Sequence, residues 1–591
     1  MYIIKALVLE FLPDPVLTYY AKQPLARGNL ITVPLRGKDA IAFVVSSTHI
    51  KETKLSVKHA GYALQPIKGV ISDTSIISPR QKLFFERVAL RYNIVLPLVL
   101  KYALPSPTKT FLHFPEVSIP KRFDSVGFQR LILVPSEAFL AYVAQDFDNE
   151  NVIVYKKTMP VKKQREVWIK ILRGDPVTVV GLSSALFLPW HNLAFIEILE
   201  THNGLYKSLS APFFDVNILA RELAHTHGSD VTQGAMTRHS AGNIAYTLIE
   251  DKKDPTRRRQ LDVFSRLIKN VPLAALQQCD KIVILVNRRG YTPFVLCASC
   301  GYMYRCPKCS VGFVLHENDT SRAKRLVCHH CNYVEKNPQD VCPECHGFLT
   351  GFSGVGTEKV GEAFKQILPH HTFFIFDSDT VKTLKKEKEM FGRFNESSEG
   401  VLVATELIFK HPLPQLDASF IIDTDRMLNI PDFWSGERVF RMIRTLGFSS
   451  KHVYIFTRDV TRPIFGYINT PENFFERENK ARERYGYPPF VELTKITYAH
   501  SNKESIENTM TTLVTQMRTF LIDNNTEVLF EVSDPSPAFV SKINRRFYYH
   551  IILRLKKSLT EITDDDLRAR NRLLLLVPRG FVVNIGASSI L

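Results

Sequence analysis

Four Cys-x-x-Cys pairs lie close together near the middle of the chain. They read Cys297-Ala298-Ser299-Cys300, Cys306-Pro307-Lys308-Cys309, Cys328-His329-His330-Cys331 and Cys342-Pro343-Glu344-Cys345. Each pair places two thiolates on a tight turn, and two such turns complete one tetrahedral zinc site of four sulfurs. The sequence therefore predicts a module that holds two Zn²⁺ ions.

The spacing between the pairs indicates which of them share a metal ion. Eighteen residues separate Cys309 from Cys328, which is within the range of zinc ribbons. The inner pairs, Cys306/Cys309 and Cys328/Cys331, therefore form one predicted site. The outer pairs, Cys297/Cys300 and Cys342/Cys345, are left to form the other.

Two alternatives to this ligand set are weaker. Four histidines lie among the pairs, namely His316, His329, His330 and His346, but eight thiolates already fill two sites. Disulfide bonds would be expected in a secreted protein, whereas the first ten residues contain no signal-peptide h-region or cleavage site.

Cys279 is unpaired and precedes an apolar strand, which is typical of a buried structural thiol.

Length and charge limit the class of protein. A chain of 591 residues is too long for one hydrophobic core and predicts about four domains. The net charge of +17, from 76 basic and 59 acidic residues, favours a polyanionic partner, although a charge spread evenly for solubility is the alternative. No apolar run approaches the ~18 residues that span a bilayer, so we expect a cytoplasmic protein and no membrane partner.

Strands and helices alternate along two parts of the chain. The first part contains Leu131-Ile132-Leu133-Val134 and Val177-Thr178-Val179-Val180, with a helix near Lys163 to Leu172 between them. The second contains Lys281-Ile282-Val283-Ile284-Leu285-Val286 before the cysteine pairs and Gly400-Val401-Leu402-Val403 after them. Such alternation predicts parallel sheets covered by helices, and therefore a multidomain α/β protein.

Several segments around the cysteine pairs form a recognisable set. They are Asn287-Arg288-Arg289-Gly290-Tyr291, Gly354-Val355-Gly356-Thr357-Glu358, Asp432-Phe433-Trp434-Ser435-Gly436-Glu437-Arg438 and Tyr485-Gly486-Tyr487-Pro488-Pro489-Phe490. In this order they resemble the family of primosomal protein N-prime, the bacterial replication-restart helicases. The resemblance runs nearly from end to end.

The resemblance implies an order of domains. It implies an N-terminal DNA-binding β domain at 1–60, a winged helix at 61–110, a first RecA-like lobe at 111–240, a second RecA-like lobe at 241–465 with the zinc-binding insert at 296–350, and an α+β C-terminal domain at 466–591. The first lobe is expected to be truncated and degenerate, because the segment from Phe111 to Arg130 is too short and irregular for the family's phosphate-binding loop with its strand and helix.

The nucleotide-hydrolysing residues that the family carries are missing at their aligned places. No Gly-x-x-x-x-Gly-Lys-Ser/Thr loop occurs in the chain, and the family's Asp-Glu-Glu-His is replaced by Leu199-Glu200-Thr201-His202. Gly234-Ala235-Met236-Thr237-Arg238 replaces the coupling motif, and the stretch from Arg444 to Ser450 lacks the arginine fingers. Arg441 or Arg444 reaching in from a neighbouring turn is the alternative. We expect no ATP hydrolysis and assign no catalytic residue.

Candidate DNA contacts lie at both ends of the chain. Arg36 and Lys38 on a turn are suited to phosphates, although simple solvation explains two such charges about equally well. Where the family recognises a 3′ end, this chain has Leu17, Thr18 and Gln65, so terminus-specific recognition is doubtful. The C-terminal candidates combine cations with an aromatic side chain; they are Lys542, Arg545, Arg546 and Tyr548. A strand whose aromatic residues alternate between core and solvent is the competing interpretation.

The resulting hypothesis is a zinc-containing primosomal protein that binds forked, branched or single-stranded DNA and recruits replication-restart partners without hydrolysing ATP. One alternative is an active ATP-dependent 3′-to-5′ helicase, and another is a zinc-ribbon assembly protein with no nucleic-acid role.

Overall fold

The computed structural model describes most of the chain and divides it into two compact units, Met1–Met236 and Thr237–Leu591. The described residues are 1–9, 16–52, 64–72, 75–104, 127–145, 151–234, 242–250, 276–286, 292–297, 302, 304–307, 313–317, 324–328, 333–336, 341–343, 345–346, 349–352, 357–422, 424–543, 546–556 and 562–591.

The first unit opens with a mostly antiparallel sheet. Its strands are β1 (Tyr2–Val8), β2 (Val16–Ala21), β3 (Leu30–Leu35), β4 (Lys38–His49), β5 (Gln65–Pro66) and β6 (Gly69–Ser72), in the order β5-β2-β1-β4-β3-β6. Alternate residues of β1, including Ile4 and Ala6, are buried on one face because side chains alternate along a strand. The sheet extends through Ser72, beyond residue 60 where the sequence predicted its end.

Two helices follow, α1 (Pro79–Arg91) and α2 (Leu96–Ala103). The Ser78 hydroxyl accepts from the Gln81 amide at 3.1 Å, and Pro79 occupies the first turn, so α1 begins where the Ser-Pro pair predicts. Both helices pack into the core of the next sheet. The indole N–H of Trp168 donates to the Ile76 carbonyl at 3.0 Å, and the Phe84 and Phe187 rings lie 6.0 Å apart.

The first lobe is a five-stranded parallel sheet. Its elements are β7 (Gln129–Leu133), α3 (Glu137–Gln145), β8 (Val152–Tyr155), α4 (Val161–Leu172), β9 (Val177–Gly181), β10 (Leu193–Leu199), α5 (Val216–His227) and β11 (Asp230–Gly234). The strand order is β11-β10-β7-β9-β8. The chain leaves β7 toward one edge of the sheet and leaves β10 toward the other, so the carboxyl ends of these two neighbouring strands flank a topological switch point.

The second unit contains the second lobe and the cysteine-rich segment. In chain order its strands are β12 (Tyr246–Glu250), β13 (Lys281–Val286), β14 (Thr292–Cys297), β15 (Val314–Glu317), β16 (Lys324–Val327), β17 (Val334–Lys336), β18 (Leu349–Phe352), β19 (Thr372–Phe376), β20 (Gly400–Ala404), β21 (Leu416–Ile422) and β22 (Ser450–Thr457). The helices are α6 (Thr357–Ile367), α7 (Leu384–Glu396), α8 (Thr424–Leu428), α9 (Ser435–Ser449), α10 (Pro463–Gly466) and α11 (Pro471–Tyr485).

The second lobe has a parallel sheet in the order β12-β22-β21-β13-β20-β19. Its central strands are nearly continuous apolar runs, as strands buried on both faces require. In β13 the five residues from Ile282 to Val286 are all buried. The prediction of a multidomain α/β protein with two parallel sheets is confirmed.

The C-terminal domain follows α11. It consists of β23 (Val491–His500), α12 (Lys503–Asp523), β24 (Phe530–Val532), β25 (Ser536–Ile543), β26 (Arg546–Lys556), α13 (Asp564–Leu574) and β27 (Val582–Ile585). The strands pair antiparallel, and residues of α12 and α13 fill a core on one face of the sheet. Among the described residues, no helix combines the length and apolar character that a membrane crossing requires.

Candidate zinc module and nucleic-acid contacts

A small sheet carries the cysteine-rich segment. β14 pairs antiparallel with β18 on one side and with β15 on the other, and β15, β16 and β17 continue as a meander. The segment departs directly from the end of β13 and rejoins the second lobe at α6. The cysteine-rich segment is thus inserted between β13 and α6 of the second lobe, and it begins at the carboxyl end of β13.

The two described cysteines of the inner site share one core. Cys306 and Cys328 are both buried, together with Phe313 and Leu326. The Cys328 amide donates to the Tyr333 carbonyl at 2.8 Å, so the chain turns back on itself across this Cys-x-x-Cys pair. This packing agrees with the inner pairing of Cys306/Cys309 with Cys328/Cys331, of which Cys309 and Cys331 lie outside the described residues.

Strand pairing brings the two outer Cys-x-x-Cys pairs close together. Cys297 ends β14 opposite Leu349, and Leu349 begins β18 four residues after Cys345. Cys342 is buried and Cys345 is exposed, and the His346 amide donates to the Cys342 carbonyl at 2.9 Å. Cys300 lies outside the described residues, as do His329 and His330.

The donor set of this module fits zinc, because thiolate pairs on tight turns are the ligands of structural sites. Within the part of the chain that the structure describes, no three His, Cys, Asp or Glu side chains converge on one point. The structure describes the side chains of Cys306 and Cys328 in one predicted site and of Cys342 and Cys345 in the other, and for Cys297 it describes the backbone alone. The eight-ligand assignment therefore stays a prediction.

A tyrosine fills the switch point of the first lobe. Tyr206 is 3% exposed, and its hydroxyl lies 2.9 Å from the Leu133 carbonyl and 2.6 Å from the Leu199 carbonyl. Leu133 and Leu199 are the last residues of β7 and β10. Ligands of open α/β sheets bind in the crevice at such a point, and here the phenol of Tyr206 lies across it.

Glu200 is buried beside that tyrosine. Its backbone has a φ of 53°, a left-handed conformation that is uncommon for a residue with a side chain. One carboxylate oxygen lies 3.3 Å from Nε2 of His202. Burial, together with the charge of Glu200, raises the pKa of the Tyr206 phenol.

The two arginines considered as substitute fingers both have partners within the second lobe. Nε of Arg441 donates to Glu437 at 2.6 Å. Arg444 is buried, and its guanidinium donates to the Ile468 carbonyl at 2.7 Å. The replaced coupling motif lies mostly outside the described residues, as do residues 111–126 of the shortened segment.

Arg36 and Lys38 flank Gly37 in the β3–β4 hairpin turn and are exposed. Arg36 and Gly37 have φ values of 49° and 79°, the left-handed pair that a two-residue hairpin requires. Leu17 and Thr18 lie on β2, whose neighbour β5 begins with Gln65. The structure therefore brings the three positions aligned with 3′-end recognition to adjacent strands.

The C-terminal candidates separate onto two faces of β26. Tyr549 points into the helix-covered core and its hydroxyl hydrogen-bonds Glu507, whereas Tyr548 is half-buried on the other face. Arg546 is exposed and donates to the Ala499 carbonyl at 3.1 Å. By register Lys542 lies opposite Phe547, and Arg545 lies outside the described residues. Among the candidates whose side chains the structure describes, Arg546 and Tyr548 combine a cation with an accessible ring.

Comparison with known proteins gives matches at both ends of the chain. The family described as the 3′DNA-binding domain of PriA matches residues 7–105, which include α1 and α2 as well as the N-terminal sheet. The family described as the primosomal protein N C-terminal domain matches residues 483–578.

Two relatives match most of the length of this chain. The replication restart protein PriA of Synechocystis is 26% identical over 468 residues, covering 72% of this chain and 55% of the relative. PriA of Bacillus subtilis is 24% identical over 464 residues, covering 73% of this chain and 56% of the relative. The chain thus matches little more than half of the length of these two relatives.

Solved structures show only a remote likeness. RecG bound to a three-way DNA junction has a TM-score of 0.32 and 9% identity, covering 73% of this chain and 48% of its own. The helicase MrfA bound to DNA has a TM-score of 0.31 and 11% identity, covering 69% of this chain and 52% of its own. The two terminal domains and the relatives point in one direction: the chain is similar to the primosomal protein N-prime family, the replication restart proteins PriA.

Proposed function

We propose that the protein is a zinc-containing, DNA-binding primosomal protein of the replication-restart type, which recognises forked or branched DNA in the cytoplasm and does not hydrolyse ATP. In this proposal it keeps the family's scaffold as a platform for DNA and for primosome partners.

DNA binding is supported by the N-terminal match to a 3′DNA-binding domain and by the net charge of +17. Two exposed surfaces suit a nucleic-acid backbone. Arg36 and Lys38 offer phosphate contacts at the hairpin turn, and Arg546 with Tyr548 offers a cation beside a stacking ring.

The lack of ATP hydrolysis rests on the position of Tyr206. A phosphate cradle needs main-chain amides, a lysine and a magnesium carboxylate at the carboxyl ends of the central strands. In this lobe the phenol of Tyr206 bonds the ends of β7 and β10, and the chain has no Gly-x-x-x-x-Gly-Lys-Ser/Thr loop. The carboxylate of Glu200 lies 3.3 Å from Nε2 of His202.

Zinc would be held by the eight paired cysteines, four to a site. The shared core of Cys306 and Cys328 supports the inner site, and the approach of β14 to the segment after Cys345 supports the outer one. Bound zinc would fix the fold of the insert, which gives it a structural role.

The test is equilibrium binding of the pure protein to forked, single-stranded and duplex oligonucleotides, with and without MgATP, over a salt series. We expect the protein to bind forked DNA most tightly. Its affinity should fall as the salt concentration rises and should not change when MgATP is added. DNA-stimulated phosphate release above a no-enzyme control would indicate an active helicase instead. Absence of any DNA affinity would indicate an assembly protein.

A further inference from the structure

The N-terminal sheet buries alternate residues on one face, and its opposite face, here called the outer face, is divided into two halves. On one half, Leu7 and Phe43 are buried in the same core as Phe84 of α1. On the other half, most side chains of β1, β2 and β4 reach solvent. This second half of the outer face is therefore accessible to a ligand.

Strand pairing places a small group of side chains together on this accessible half. Directly paired residues of neighbouring strands point to the same face. Lys5 of β1 lies between Thr18 of β2 and Ser46 of β4, and in the next row Ile3 lies between Tyr20 and Thr48. Lys22 follows the end of β2, two residues after Tyr20. A ring and two lysines therefore lie close together among hydroxyl groups.

The two consecutive tyrosines of β2 have different environments. Tyr19 is 4% exposed, and its hydroxyl donates to the Pro34 carbonyl at 3.2 Å, so its ring belongs to the interior. Because side chains alternate along a strand, Tyr20 points to the outer face, where it is partly exposed. Of the two rings, Tyr20 is thus the one that a ligand can reach.

The N-terminal sheet is strongly basic. Residues 1–9, 16–52 and 64–72 contain seven lysines and arginines against two acidic residues, Asp39 and Glu52. Asp39 already pairs with Lys68. Lys5 and Lys22 are exposed, and neither forms an ion pair with any residue that the structure describes. Their charges are therefore available to a polyanion.

We propose that Lys5, Tyr20 and Lys22 form a binding site for an unpaired nucleic-acid strand, in which the lysines contact phosphates and the Tyr20 ring stacks on a base. Single-strand sites combine a positive surface with aromatic rings, and stacking tolerates any base. A base inside a duplex is already paired and stacked, so this arrangement favours a single strand. The inference rests on the proposed DNA-binding function and assigns it a further site.

This site is separate from the hairpin turn that carries Arg36 and Lys38. Ser46, which pairs with Lys5, lies eight residues after Lys38 along β4. At the usual rise of a strand residue, that separation is about 26 Å. The turn and the Lys5 site can therefore be tested independently.

The first test is the variant Lys5→Ala, measured by equilibrium binding to single-stranded oligothymidylate across a salt series. We expect binding about three- to tenfold weaker at low salt and a salt slope reduced by about 0.7, as the loss of one phosphate contact predicts. Lys5→Arg should keep most of both values. The matched control is Lys101→Ala, an exposed lysine in the last turn of α2, which should leave both values unchanged.

A second pair of variants tests the stacking. Tyr20→Leu removes the ring but keeps an apolar side chain, and we expect single-strand binding at least about fivefold weaker, with duplex binding nearly unchanged. Tyr20→Phe keeps the ring and should bind like the unaltered protein. Equal Tm values for these two variants would exclude a folding defect as the cause. If Tyr20→Phe loses as much affinity as Tyr20→Leu, the ring does not stack and the proposal is overturned.

Three other outcomes have a defined meaning. If the unaltered protein binds DNA but Lys5→Ala equals Lys101→Ala, this site is wrong and the proposed function stands. If the unaltered protein binds no DNA of any form, both fall. If Lys5→Ala weakens single-strand and duplex binding by the same factor while Tyr20→Leu changes neither, the assignment to an unpaired strand is overturned.

Discussion

The hydroxyl of Tyr206 lies 2.6 Å from the carbonyl oxygen of Leu199, the last residue of β10. The sequence resemblance predicts that Leu199 stands in place of a magnesium-binding aspartate. At this edge of the first-lobe sheet the Leu199 carbonyl is therefore engaged by a buried tyrosine, which supports the proposal that this lobe does not bind a nucleotide.

Substituting Tyr206 by Phe should destabilise the protein without creating nucleotide binding. Leaving two buried carbonyls with fewer donors costs about 1–3 kcal/mol, so calorimetry should show a Tm lowered by several degrees, with no further shift on adding MgATP. Tyr142 is 50% exposed on α3, and Tyr142→Phe should change stability by less than about 0.5 kcal/mol. Equal Tm values for the two variants would contradict the role given to Tyr206.

Zinc content tests the pairing of the cysteines. We expect about two zinc ions per chain, falling by one in Cys306→Ser and in Cys328→Ser, because these cysteines belong to one site. The double variant should lose no more than either single variant. Cys279→Ser is the control and should keep both ions. Loss of both ions from a single variant would mean that the two sites fold as one unit.

Local signals predicted much of the fold. The apolar run Ile282 to Val286 is a buried parallel strand, and the Ser78-Pro79 pair starts α1, because strand burial and helix capping depend on neighbouring residues. The alternation within β26 was also foreseen as the competing interpretation of its aromatic run. The structure shows which rings face the core, with Tyr549 inside and Tyr548 outside.

Contacts between distant residues could not be predicted. Nothing in the sequence around Tyr206 indicates that its hydroxyl meets Leu133, 73 residues earlier in the chain. The order of the strands in a sheet determines which residues meet at such a site, and a single sequence gives little information about that order.

Tyr548 provides a test of the C-terminal DNA contact. Stacking on an aromatic side chain is worth about 1–3 kcal/mol per base, so Tyr548→Ala should weaken binding of a single-stranded oligonucleotide at least about fivefold. Tyr485, 40% exposed at the end of α11, offers the comparison, and Tyr485→Ala should bind normally. A similar loss in both variants, or none in either, would remove β26 from the proposed DNA surface.

Stability should depend on pH through His227. Burial is the main reason that its pKa falls to about 4, and the charges of Arg80 and His191 add to the effect. Its ordinary value is 6.5, so the unfolded chain takes up this proton first as the pH falls. The contribution of neutral His227 is full above pH 6.5 and is lost between pH 6.5 and about 4.

The variant His227→Gln isolates this effect, since its amide can still donate to Oε1 of Gln81, which lies 3.1 Å from Nε2 of the histidine. Thermal unfolding measured from pH 4 to 7.5 should show a flatter pH dependence in the variant, with the largest difference from the unaltered protein above pH 6.5. If the curves of stability against pH run parallel for the two proteins over the whole range, His227 has the same pKa in the folded and unfolded states.

The joint between the second lobe and the C-terminal domain provides the last prediction. Arg482 on α11 donates to Glu437 on α9 at 2.7 Å, with side-chain exposures of 6% and 5%, and stacks over Trp434 at 4.1 Å. Arg482→Ala leaves a buried carboxylate with fewer partners, and breaking such pairs costs about 3–5 kcal/mol. Arg441 also pairs with Glu437, so the expected loss lies at or below the lower end of that range.

The same helix contains the control. Lys480 pairs with Glu476 at 2.6 Å, with side-chain exposures of 74% and 64%, and such a fully exposed pair adds little to stability because water screens its charges. Denaturant unfolding of both variants should therefore show a large fall in the free energy of unfolding for Arg482→Ala and almost none for Lys480→Ala. A small loss for Arg482→Ala would mean that the apolar contacts of Phe433 and Tyr487, whose rings stack at 4.6 Å, hold the joint without the ion pair.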